Sequence, residues 1–132
     1  MLNADLLPLS NSRAQLRALR PDDAAAFARG TNDPDVQAYG HLPEAEYTPD
    51  SVLTMIEQQA LPGLERGDLA VLAMADAATD AFDGSLVIFD IDDDSAEVGF
   101  WVHPEHRGAG KTAAALDLAA EFAHGSGLTR LT

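Results

Sequence analysis

The stretch that most constrains this chain runs from Ala96 to Ala123. It reads "AEVGFWVHP", then "EHRGAG", then "KTAAALDLAAEFA". The first part alternates as a strand does and closes at Pro104, which cannot donate into a ladder. The last part is rich in helix formers, with Leu116, Ala119, Ala120 and Ala123 at helical spacing and Gly125 as a stop. The glycine-bearing turn between them puts unbonded amides at a helix amino terminus, a place that favours a phosphate or pyrophosphate. Arg107 and Lys111 add positive charge there.

The loop ends in Gly110-Lys111-Thr112, as a nucleoside-triphosphate loop does. Such a loop needs a glycine five positions before its Gly-Lys, and here that position is Glu105. The triphosphate reading therefore fails, and another phosphate-bearing ligand is expected.

The remaining elements follow from pattern. Arg13 to Leu19 alternates as a first strand, and Pro21-Asp22-Asp23 suits the opening turn of a helix that runs to Gly30. A second helix opens with Thr48 as cap and Pro49 just inside, placing Val52, Leu53, Ile56 and Ala60 on one face. Strands are predicted over Leu69 to Met74, Ser85 to Ile91 and Ala96 to His103, with short polar links suited to antiparallel neighbours. "GLTRLT" begins another strand. This order predicts an α+β fold with a mixed α/β sheet, in one domain over residues 1–132, with residues 1–12 as an amino-terminal tail.

Composition excludes several classes. With no cysteine, thiolate metal sites and a cysteine nucleophile are ruled out. His103 and His106 flank Pro104-Glu105 without a third ligand, and His41 and His124 add none, so no metal is expected. Acidic residues number 22 against 8 basic, a net charge of −14. Such a surface repels nucleic acid and anionic membranes. It either steers a cationic substrate inward or reflects a compositional bias of the source cell. No apolar run is long enough to span a membrane and the first residues do not read as a secretory signal, which makes a cytoplasmic location the expectation.

"AEVGFWVHPEHRGAGKTAAALDLAAEFA" resembles the central motif of the GNAT superfamily of N-acetyltransferases, whose loop reads Arg or Gln, two residues, Gly, one residue, then Gly or Ala. Arg107 and Gly110 match, while Thr112 stands where Gly or Ala is usual. The strand "AEVGFWVHP" and the opening "QLRALRPDDAAAF" are most similar to the branch that acetylates protein amino termini, including those of ribosomal proteins. The resemblance implies acetyl-CoA as cosubstrate, with Trp101 and Val102 offering backbone groups to its pantetheine. Arg107, Gly108, Ala109, Gly110, Lys111 and Thr112 would hold its pyrophosphate. It implies direct acetyl transfer to an amine, either a peptide amino terminus or a small amine, and a cationic acceptor would suit the acidic surface.

Glu97 is the candidate general base, acting through a water, because alternation puts it on one face with Gly99 and Trp101. The alternative is an ordinary solvent-facing strand residue. Trp101 reads as a packing residue or a substrate platform. The acceptor site is expected between Asn32 and Leu61, where Tyr39, His41, Glu44, Glu46 and Tyr47 are candidate contacts. Family members continue beyond the fifth strand and supply a tyrosine acid there. This chain ends near that strand, so a second copy completing the sheet as a homodimer is expected, or else a longer gene product. The competing function is a non-catalytic module of this fold that binds CoA or a protein and needs another chain to complete it.

Overall fold

A computed structural model of the chain describes residues 1–34, 36, 47–103 and 110–132. Six strands form one sheet in sequence order: β1 Leu9–Ser10, β2 Ala14–Ala18, β3 Ala70–Asp76, β4 Phe82–Phe89, β5 Ser95–Val102 and β6 Arg130–Leu131. The first five are antiparallel neighbours, and β6 lies parallel to β5. The expected mixed sheet is thus present.

Helices cover both faces because the strands are apolar on both sides. Leu72 and Met74 of β3, Leu86 and Ile88 of β4 and Ala96 of β5 point to one face. There they meet Ala115, Leu118, Ala119 and Phe122 of α4, Lys111–Gly125. Ala73, Phe82 and Trp101 point to the other face and meet Phe27 of α1, Ala24–Thr31, and Val52 of α2, Pro49–Met55. Phe27 is the hub of this second cluster, 5.1 Å from the Trp101 ring and edge-on to it.

The helix starts are set by local chemistry. Pro21–Asp23 forms a 3-10 turn leading into α1. Thr48 caps α2 by accepting from Ser51 N at its hydroxyl, and the Ser51 hydroxyl in turn accepts from Thr48 N. Past Met55 the helix widens into a π turn, Ile56–Ala60, where Leu61 N–H reaches back to Ile56 O. Pro62 has no amide to give, which accounts for a break in the regular ladder at this point. The helix resumes as α3, Leu61–Arg66, and Gly67, at φ 83°, ends it.

Two sequence expectations change. Residues 1–12, read as a tail, are docked: Leu2 is buried, its N–H donates to Gly67 O at 2.9 Å, and β1 pairs with β2. Irregularly spaced leucines hid this, because their partners are far along the chain. The second central strand begins at Phe82 rather than Ser85, since a bulge opposite Met74 and Ala75 absorbs Asp83 and lets the ladder run on.

Candidate active site

The site is built where β5 ends and α4 begins. In an antiparallel ladder, successive residues turn their N–H and C=O groups to opposite edges of the strand. His103 N donates to Asp83 O at 2.7 Å, so the odd-numbered residues of this stretch face β4. Ala96 O accepts from Thr132 N at 2.9 Å, so the even-numbered ones face the outer edge. β6 matches only Ser95 and Ala96. Among the described residues no strand pairs with the outer edge beyond them, which leaves the peptide groups of Val98, Phe100 and Val102 available there.

This parity divides the two residues named from sequence as pantetheine contacts. Val102 turns its peptide groups to the outer edge, whereas Trp101 turns them to β4. Phe100, which sequence reasoning left out, joins Val102 at the edge and is 38% exposed. The parity depends on which neighbour takes which residue, so no pattern within the strand could have given it. The Trp101 side chain is buried against Phe27 and Phe82, the packing role among its two readings.

At the other side of the gap, Gly110 is the cap residue of α4, at φ 74°. This left-handed conformation favours glycine. Gly110 has no side chain with which to cap the helix, and no acidic residue stands in the first turn of α4. The amides at this helix start therefore keep their affinity for an anion. Arg107, Gly108 and Ala109 lie outside the described residues. Thr112 is half-buried in the first turn of α4.

Asn11, in the turn between β1 and β2, ties this helix start to the sheet. Its side-chain oxygen accepts from Arg13 N at 3.1 Å and Ala14 N at 2.9 Å, while its amide nitrogen donates to Ala114 O at 3.0 Å. The Arg13 guanidinium lies against Gly110: a Cβ built on that glycine would run into it.

Glu97 is exposed, at the register position opposite Phe89, near the point where β6 leaves β5. It shares a face with Gly99 and Trp101, as alternation requires. His103 is buried, close to Gly30 of α1. Tyr47, a candidate acceptor contact from sequence, is buried edge-on to Phe27 and belongs to the core. Tyr39, His41, Glu44 and Glu46 lie outside the described residues, as does His106. An open hollow lined by Asp68 and Asp92 to Asp94 sits by the turn before β5, at the opposite end of that strand from Gly110. Its carboxylates suit no phosphate.

Residues 13–132 match the model of the acetyltransferase (GNAT) domain. The chain belongs to the GNAT acetyltransferase family. Solved structures share the fold of this GNAT domain. A probable acetyltransferase superposes with a TM-score of 0.79 at 19% identity, over 96% of this chain and 72% of that one. RimJ of Mycobacterium smegmatis, in complex with CoA-disulfide, gives 0.78 at 20% identity, over 89% of this chain and 60% of that one. Spermidine N-acetyltransferase of Vibrio cholerae, in complex with CoA and spermine, gives 0.69 at 21% identity, over 86% and 64%. No curated protein sequence matches the chain significantly.

Proposed function

We propose that this GNAT domain is an acetyl-CoA-dependent N-acetyltransferase that passes the acetyl group directly to an amine. One observation carries the reading: among the described residues no strand pairs with the outer edge of β5 from Val98 to Val102, and α4 starts beyond this strand at Gly110, whose own lack of a side chain leaves the helix amides uncapped. An extended amide-bearing arm can pair with such an edge while a pyrophosphate meets the helix amides. Structures of the same fold that contain CoA support the choice of cosubstrate.

In this reading Phe100 and Val102 bond the pantetheine arm through their backbone, and Val98 extends the edge. Gly110, Lys111 and Thr112 hold the pyrophosphate, joined by Arg107, Gly108 and Ala109 on the sequence motif. The amine nitrogen attacks the acetyl carbonyl carbon, the C–S bond breaks, and the thiolate leaves. The proton lost by the amine passes through a water to Glu97. No side-chain nucleophile is required, which suits a chain without cysteine. The charge of −14 favours a cationic acceptor, either a peptide amino terminus or a small amine. A cytoplasmic location goes with this role.

Calorimetric titration with acetyl-CoA and desulfo-CoA, followed by turnover over a panel of peptides and polyamines, tests the reading. Both ligands are expected to bind, and Gly110→Glu is expected to abolish binding by setting a carboxylate against the pyrophosphate. Absence of binding by the wild-type chain would refute it. The burial of Tyr47 in the ring cluster favours a second reading, a CoA-binding module without catalysis, because it removes one of the two tyrosines as a proton donor to the thiolate. Binding without turnover on any amine would decide for that module.

A further inference from the structure

We propose that Arg13, on the turn between β1 and β2, is a ligand of the pyrophosphate, reaching it from outside the loop that the family motif covers. The inference rests on the CoA reading above and adds a residue to it from the opposite end of the chain.

Three observations meet at this residue. Its position is built: Asn11 accepts from Arg13 N and donates to Ala114 O, so the turn carrying Arg13 is pinned to the first turns of α4. Its guanidinium lies against Gly110, the residue at the positive end of that helix. And its charge is in an unfavourable place. A cation at a helix amino terminus is repelled by the helix dipole.

The repulsion could have been avoided cheaply. The chain carries 22 carboxylates, and Arg17, Arg20 and Arg66 are each paired with an aspartate. Among the described residues Arg13 is in no ion pair, and no carboxylate stands in the first turn of α4 to offset it. An arginine held beside bare helix amides makes electrostatic sense once an anion lies between them. The guanidinium offers planar paired donors that match two phosphate oxygens. Gly110 completes the fit, since a side chain there would occupy the space the guanidinium takes.

The test is a binding measurement on the whole chain with CoA, dephospho-CoA and pantetheine as probes. Arg13→Ala is expected to weaken CoA about ten- to a hundredfold, the usual range for a hydrogen bond to a charged group. Dephospho-CoA, which keeps the pyrophosphate, should show the same loss. Pantetheine, followed by NMR shift titration, should show none. Arg13→Lys should recover part of the affinity. Melting separates a ligand from a structural residue: Arg13→Ala and Arg13→Glu should melt at or above the wild-type temperature, because each relieves the dipole repulsion.

Unchanged CoA affinity in Arg13→Ala, against a wild type that binds, would overturn the assignment and leave the CoA reading intact. So would an equal loss for pantetheine, a defect that vanishes with dephospho-CoA, or a lowered melting temperature. No CoA binding by the wild type would instead overturn the CoA reading, and this inference with it.

Discussion

At Gly30, two effects of opposite sign compete. Replacing a helix glycine by alanine ordinarily gains up to about 1 kcal/mol of helix propensity. Here the added Cβ would meet the Trp101 ring, 2.8 Å from its Cη2 atom and closer still to Cζ3, with His103 Cδ2 at 3.2 Å. The ring is wedged against Phe27 and Phe82 and has nowhere to go. Overpacking costs typically about 1–3 kcal/mol, so the clash outweighs the propensity. Gly30→Ala is expected to lower the melting temperature by several degrees in a thermal scan. The same scale holds the test of the base: Glu97→Gln should lower kcat by at least about a hundredfold with little effect on KM for acetyl-CoA. An unchanged kcat would make Glu97 an ordinary exposed strand residue.

Between elements, an ionic tie joins the turn that opens α1 to the sheet, beside the packing of Phe27. Arg17, buried on β2, bonds both carboxylate oxygens of Asp23 at 2.8 and 3.0 Å, and its Nε bonds Asp80 at 2.8 Å. Arg20 reaches the second oxygen of Asp80. Burial works against the Arg17 charge, but the hydrogen bonds it donates to Asp23 and Asp80 more than offset that and hold its pKa above the ordinary value. Removing Asp23 leaves the buried Arg17 charge with the half-exposed Asp80 alone, so Asp23→Ala is expected to destabilise in denaturant unfolding by less than the ~3–5 kcal/mol of a fully stranded buried charge. Asp80 is pulled below its usual value of 3.8, first by the Arg17 hydrogen bond and then by that from Arg20. A carboxylate whose pKa is depressed on folding contributes stability that is present above its unfolded value and is lost as pH falls through the folded one. Asp80→Asn should therefore flatten the loss of stability below about pH 4, its effect being modest because Asp80 is half exposed.

How much of this was legible depends on the range of the cause. The cap at Thr48, the proline openings and the strand alternation act over a few residues, and all were readable. The strand and the helix of the site, with Gly110 at the helix start, were readable for the same reason. The docking of Leu2, the bulge at Asp83, the burial of Arg17 and the meeting of Arg13 with Gly110 each depend on a partner far along the chain. No local pattern encodes them. Arg17 carried one faint signal, the pair Asp22-Asp23 placed just after it.

Over the whole molecule, charge and topology converge on one place. Eight basic residues serve a chain of net charge −14, and three of them, Arg13, Arg107 and Lys111, fall in or beside the strand-to-helix loop. A uniformly acidic surface would repel CoA, and at physiological salt that repulsion is screened within about 8 Å, so local cations decide binding. Among the described residues no helix is long and apolar enough to cross a membrane. In the proposed function the outer edge of β5 and the start of α4 together receive CoA. Amide hydrogen exchange with and without acetyl-CoA tests it most directly. Exchange is expected to slow at Phe100, Val102 and the first turn of α4, and to change little at Trp101, whose amide already faces β4. Binding that leaves the Phe100 and Val102 amides unprotected, or that protects Trp101 in their place, would contradict it.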